Sequence, residues 1–304
     1  MKRTITYQEF LVLCSDTISA MYPGEFETEL CSTLRNNDVA ITGLLLRQKG
    51  ERVAPNFYLM HQYEAWLEDK ITPAEIVTEI YQAYQEEIEK NRSLVRQLNF
   101  TWEEFKGHVF MRLISRERNK ELLHNSPYEE YLDMAVAYYY VLTLDEETQG
   151  VMAITNDHLT LLGVTKEELR EAARENTFRQ YQPKITGMSE LIRHLADRLG
   201  IRLPIQYTWN SMFVLSNERG SYGAVAMMAT DVLERFSGEI GGSFFILPSS
   251  VHEVILVPDA GEISAEIFSH MVRDVNATKI AECDILTDSV YYYDREIHTV
   301  RRVA

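Results

Sequence analysis

The sequence predicts an α+β fold, with mainly antiparallel sheets built from hairpins and covered by amphipathic helices. Three observations lead there. Short apolar runs rich in aromatic and β-branched residues come in close pairs separated by turn residues. Between the pairs lie segments with apolar residues at helical spacing, several of them opened by Ser or Thr with Glu three residues on. Helices and strands alternate irregularly without an internal repeat, which argues against a regularly wound parallel sheet.

The firmest pair is Ser243 to Leu247 and Val251 to Val257, bounded by Gly241-Gly242 and Pro258 and joined through Pro248-Ser249-Ser250. Period 2 puts His252, Val254 and Leu256 on one face and Val251, Glu253, Ile255 and Val257 on the other, so both faces are largely apolar. Such strands belong at the centre of a covered sheet, with Phe244, Ile246, Val254 and Leu256 in the core. Two helices supply the cover. One spans 223 to 236, with Ala224, Val225, Met228, Val232 and Phe236 in a stripe, and ends before Gly238; the other is capped by Ser264, with Ile267, Phe268, Met271, Val272 and Val275 in register.

The other elements follow in chain order. Tyr7 to Met21 reads as a helix with Phe10, Cys14, Ile18 and Met21 on one side, ending near Pro23-Gly24. Val39 to Leu46 and Asn56 to Leu59 read as a hairpin across Gln48 to Glu51. Thr72-Pro73-Ala74-Glu75 starts a helix that carries Ile76, Ile80, Tyr84 and Ile88 and ends near Asn91. Thr101 to Glu104 and Ser126 to Glu129 look like two further capping boxes. A second hairpin joins Ala137 to Leu144 with Val151 to Thr155 around residues 145 to 150. Helices then start at Thr155 or Asn156 and at Thr165, a third covers 189 to 199 with Gly200 as its cap, Ser211 to Leu215 is a strand, and Tyr291 to Tyr293 pairs with Ile297 to Val300. A seam at Asn91-Arg92-Ser93 divides an N-terminal helix-hairpin-helix subdomain, 1 to 92, from a C-terminal α+β domain, 93 to 304.

Gly223-Ala224-Val225 followed by Gly241 through Val254 resembles the signature of an uncharacterised bacterial family of unknown function from anaerobic gut bacteria. The likeness extends to Asn36 to Val39, Pro55 to Leu59, Arg112-Leu113-Ile114 with Asn119, and Asn156 to Leu159. It covers nearly the whole chain, and Leu-Pro-Ser-Ser-Val-His-Glu-Val is its specific part. The resemblance implies membership alone and transfers no activity to any residue.

Composition narrows the function classes. The 304 residues are 45% hydrophobic and 25% charged, an ordinary globular balance. No apolar run approaches the roughly 20 residues of a membrane helix, and the opening Met1-Lys2-Arg3-Thr4 leads into no signal-peptide core, so a cytoplasmic protein without membrane attachment is expected. The net charge is −16 and both halves are acidic, which disfavours nucleic acid as a partner. Cys14, Cys31 and Cys283 are odd in number with no CxxC pair, as for reduced thiols in a reducing compartment. The glycine-rich phosphate loops, the zinc HExxH and the GxSxG elbow are all missing, and the eight histidines show no ligand spacing. No cofactor and no metal is expected.

Two clusters carry the functional candidates. Ser249, Ser250, His252 and Glu253 place hydroxyls, an imidazole and a carboxylate within one turn, as a nucleophile and its base require. Against that, His252 and Glu253 point to opposite sides of a strand, and the plain reading is a turn satisfied by its own serines. Tyr138, Tyr139, Tyr140, Tyr291, Tyr292 and Tyr293 offer an aromatic recognition surface, or fill strand faces. The expected function is a non-enzymatic interaction or accessory factor with a protein partner; the alternative is a hydrolase or transferase using the Ser249 to Glu253 turn.

Overall fold

The computed structural model describes residues 5–50, 54–97, 101–143, 149–199, 212–248, 250–261 and 263–304. Two compact units emerge. Among the described residues, the first holds those up to Arg35 and those of 39–97; the second holds Asn36–Asp38 and the others.

In the first unit, α1 (Tyr7–Met21) begins at a complete capping box, with Glu9 N–H donating to Thr6 Oγ1 and Glu9 accepting from Thr6 N–H. Strands β1 (Phe26–Leu34), β2 (Ala40–Gln48) and β3 (Asn56–Phe57) form an antiparallel sheet in that order. Helices α2 (Met60–Leu67) and α3 (Pro73–Gln97) follow. Phe10, Leu11, Cys14 and Ile18 of α1 pack with Leu44 and Leu46 of β2 and Ile76, Val77, Ile80 and Tyr84 of α3. The expected seam at Asn91 to Ser93 lies inside α3, since nothing there breaks a helix. Strand β1 has too little regular alternation to have been read from sequence.

The second unit contains two antiparallel sheets. Helix α4 (Trp102–Phe105) starts at Thr101 without a side-chain cap and leads to β4 (Val109–Ser115) and α5 (Lys120–His124). Strands β5 (Tyr128–Tyr131), β6 (Met134–Thr143) and β7 (Gln149–Ala153) complete a four-stranded sheet in which β6 pairs with β4, β5 and β7. The capping-box reading of Ser126 to Glu129 fails here. Tyr128 to Tyr131 pairs with β6, and Ser126 Oγ instead donates to the Leu122 carbonyl at the end of α5. Helices α6 (Asn156–Leu162) and α7 (Lys166–Gln180) begin at the capping boxes of Thr155 and Thr165.

Strands β8 (Pro183–Gly187), β9 (Phe213–Asn217), β10 (Phe244–Pro248), β11 (Val254–Pro258), β12 (Tyr291–Asp294) and β13 (Thr299–Arg302) form the larger sheet, ordered β13-β12-β10-β11-β9-β8. Helices α8 (Met188–Leu199), α9 (Thr230–Ile240) and α10 (Ala265–Thr278) accompany it. The expected hairpin is therefore at the sheet's centre. Phe244, Ile246, Val254 and Leu256 are fully buried in the main core with Val232, Leu233 and Phe236 of α9, while Phe245, Leu247 and Val257 pack on the other face with Phe268 and Val272 of α10.

Three details differ from the sequence expectation. The 223 to 236 helix is two pieces, a 3-10 turn over Gly223–Met228 and then α9, which runs past Gly238 to Ile240 and ends on left-handed Gly241. Val251 to Glu253 belong to the turn, because β11 starts at Val254. Of the stripe expected on α10, Phe268 and Val272 are buried, whereas Ile267, Met271 and Val275 are exposed. Ser211, Gly200, Glu51 and residues 145–148, which the expected turns and ends include, lie outside the described residues.

Two outcomes follow from this packing. Leu256→Ala should cost about 2 to 5 kcal/mol in denaturant titration, since it opens a cavity in a fully buried site. In native protein Cys14 should resist thiol labelling while Cys31 and Cys283 react, because burial pushes the Cys14 thiol up to about 12; labelling kinetics before and after denaturation measure this.

Candidate functional site

Ser249 lies outside the described residues. Ser250 is buried; its Oγ donates to Glu253 Oε1 at 3.0 Å and accepts the His252 N–H at 3.0 Å. The imidazole is turned away from that hydroxyl. His252 Nδ1 accepts the Tyr222 N–H at 3.1 Å, and Nε2 stands 3.4 Å from Asp284 Oδ1. With both ring nitrogens engaged elsewhere, His252 is not placed to take a proton from Ser250.

What the turn does is hold the loop that precedes the 3-10 turn. The His252 carbonyl accepts from Gly223 N–H at 2.9 Å and Ser216 Oγ at 2.8 Å, and Ala224 N–H donates to the Val251 carbonyl at 3.2 Å. The approach admits no side chain at residue 223. A Cβ there would lie 2.2 Å from Ser216 Oγ and 2.7 Å from the His252 carbonyl oxygen. Tyr222, with φ of 52°, takes the left-handed conformation that this tight joint demands.

The tyrosines divide. Tyr138, Tyr139, Tyr291 and Tyr293 are buried in strand faces, and Tyr140 and Tyr292 are partly exposed. Tyr140 stacks on Phe105 and Tyr292 donates to Asp259 at 2.8 Å.

Sequence reasoning did not find a cleft of the second unit of about 630 Å³ in volume. The turn after β4 brings Arg116 and Arg118, the start of α5 brings Lys120, α10 brings Arg273 and β13 brings Arg302. Five cationic side chains thus line it against the three carboxylates of Glu117, Asp133 and Asp288. Arg116 pairs with Glu130 at 2.6 Å, Arg118 with Asp288 at 3.3 Å and Arg302 with Asp133 at 3.7 Å. Among the described residues, Lys120 and Arg273 make no ion pair. The local balance is positive in a chain of net charge −16. The nearest sequence signal was Arg116, Arg118 and Lys120 on alternate residues; Arg273 and Arg302 are too remote in the chain to have been joined to them.

Asp133 anchors the cleft. It sits in the two-residue turn between β5 and β6, beside Leu132 at φ of 58°. Tyr291 Oη and Ser289 Oγ, the latter at 2.7 Å, both donate to it. Burial opposes the charge on Asp133, yet the hydrogen bonds from Tyr291 and Ser289 and the nearby Arg302 outweigh it and hold the carboxyl below its ordinary value. Burial, with the bond to Asp133, pushes the Tyr291 phenol up, so it stays a neutral donor. A carboxylate so anchored is a permanent acceptor and a poor base; the arrangement suits binding more than proton transfer.

Fold and cleft together define an α+β protein with a cation-lined cleft in its second unit. The model of a family of unknown function, DUF5688, matches residues 7–295, and the chain belongs to that family. No curated protein and no solved structure matches it. No helix among the described residues is long and apolar enough to cross a membrane.

The anchoring of Asp133 has a measurable pH signature. Its folded-state pKa is below the unfolded value of about 3.9, so its stabilisation is present above that pH and fades as pH falls through the folded value. Asp133→Asn should therefore be less stable than wild type by about 1 to 3 kcal/mol at neutral pH. In denaturation curves taken at descending pH, the gap should close below about pH 4; a gap independent of pH would contradict the anchoring.

Proposed function

We propose that the protein is a non-enzymatic, cytoplasmic binding factor that takes an acidic segment of a protein partner into the cleft of its second unit. The supporting observation is the concentration of Arg116, Arg118, Lys120, Arg273 and Arg302 around one cleft in an otherwise acidic chain. Volume agrees, since about 630 Å³ falls in the range of real ligand sites. A peptide is favoured over nucleic acid because the net charge of −16 repels a long polyanion, whereas a few carboxylates can be met within the cleft. The exposed Ile267, Met271 and Val275 lie on the helix that supplies Arg273, giving such a peptide apolar surface as well.

A hydrolase or transferase is the second reading. It is favoured by the Ser250–Glu253 and His252–Asp284 pairs, which line a shallow cleft of about 350 Å³.

Fluorescence anisotropy with a labelled glutamate-rich peptide tests the first reading. Binding should weaken steeply with salt, and the double variant Lys120→Glu, Arg273→Glu should lose at least about tenfold in affinity. Ser250→Ala and His252→Ala should bind as wild type does. Absence of binding at low salt, or equal binding by the charge-reversed variant, rejects the acidic-segment reading. Hydrolytic or transfer activity that His252→Ala removes while the fold persists would favour the second reading.

A further inference from the structure

We propose that the first unit pairs with a second copy of itself along the free edge of β1, in an antiparallel register centred on Leu30. Strand β1 is nine residues long, and among the described residues only β2 pairs with it. It contains no proline and no lysine, two of the devices that keep an open edge from pairing with another chain. Beyond its two ends, Lys49 N–H donates to the Glu25 carbonyl at 3.0 Å and Arg35 N–H to the Val39 carbonyl at 2.9 Å, so odd-numbered residues turn their backbone groups toward β2. Alternation then turns those of Phe26, Thr28, Leu30, Ser32 and Leu34 outward, to the open edge.

The side chains of the same five residues share the face that carries the helices. Phe26 meets Tyr84 of α3 edge to face, with ring centres 5.1 Å apart, and the Thr28 hydroxyl lies 2.7 Å from that of Ser15 on α1. Leu30 and Leu34 point the same way and Leu30 stands beside fully buried Leu44, yet they are 39% and 42% exposed. The edge therefore presents both unpaired backbone groups and uncovered apolar side chains.

A second copy answers both. With Leu30 opposite Leu30, Thr28 meets Ser32 and Phe26 meets Leu34 of the other copy, and each pair exchanges N–H···O bonds in both directions. Leu34 thereby gains an aromatic neighbour, a favourable cross-strand contact. On the opposite face Glu29 meets Cys31 and Glu27 meets Thr33, so no carboxylate stands directly opposite another, and just beyond the strand ends Glu25 meets Arg35. Other registers lose this match. Centring the pair on Glu29 sets Glu29 against itself, centring it on Thr28 sets Glu27 against Glu29, and centring it on Cys31 sets Leu30 against Ser32 and Leu34 against Thr28. Charge and apolar pattern thus select the Leu30 register and a copy of this chain as the occupant.

Sedimentation velocity of the full chain over a range of concentrations tests this, with a monomer–dimer equilibrium expected. Leu30→Glu sets two like charges at the centre of the pair and should weaken the dimer at least about tenfold. Arg35→Glu should also weaken it, and the double variant Glu25→Arg, Arg35→Glu, which restores opposite charges across the pair, should recover it; this charge swap decides the matter if Leu30→Glu fails to fold. Under mild oxidation Glu29→Cys should form a disulfide with Cys31 of the other copy, because residues of a non-hydrogen-bonded pair stand close enough for one, and peptide mass mapping identifies the bond. Lys120→Glu, Arg273→Glu should leave the dimer intact. A monomer at every concentration, a dimer indifferent to Leu30→Glu or lost with the cleft variant, no recovery by the charge swap, or no cross-link from Glu29→Cys would overturn the proposal.

Discussion

Phe244, Ile246, Val254 and Leu256 pack toward α9 while Phe245, Leu247 and Val257 pack toward α10, so the centre of the six-stranded sheet meets water on neither face. Much of the second unit is arranged around this double burial. A strand pair without a wet face has no place for polar side chains except at its ends, and there the chain concentrates them. At one such end the Ser250 to Glu253 turn satisfies its own hydroxyl and carboxylate, then turns its carbonyls and imidazole outward to hold the neighbouring loop. A segment that looks catalytic by composition is, in geometry, a joint.

The four-stranded sheet obeys the same rule with one departure. Val109, Met111 and Leu113 join the main core and Phe110 and Ile114 join a second cluster, so both faces of β4 are covered. Arg112 is set into this apolar strand and is stabilised by tyrosine rings in place of a carboxylate. A buried charge held in this way is costly unless something else answers its hydrogen-bonding capacity. A side-chain hydrogen bond with Tyr222 offsets part of that cost.

The larger cleft reflects a different economy of charge. Acidic side chains are spread through both halves of the sequence, whereas Arg116, Arg118, Lys120, Arg273 and Arg302 converge from three separate stretches. Asp133 does not neutralise that set by itself, because it is already occupied by Tyr291 and Ser289. It acts as a fixed acceptor around which the cations are arranged. Low exposure makes these bonds stronger than their surface equivalents and keeps the tight turn at Leu132 and Asp133 in place.

Local physics made much of the fold legible. The helices at Tyr7, Pro73, Asn156 and Lys166 start where side chains within four residues close a capping box, and the β10–β11 hairpin follows from apolar runs on either side of a proline and two serines. Where the same local rule met a stronger distant partner, it gave way: Ser126 to Glu129 has the letters of a cap, yet Tyr128 to Tyr131 became a strand because β6 offered a ladder. The sites were far less legible. Alternation along a strand could not reveal that β11 begins only at Val254, which decides where His252 points. Nor could sequence spacing bring Arg302 to Asp133, or Tyr222 to Arg112, since such pairs are 169 and 110 residues apart. The sequence by itself determined the α+β class, the central hairpin and most helix starts, which depend on neighbours in the chain. Only the tertiary structure decided which charges converge and which tyrosines are buried, because those depend on what packing brings together across it.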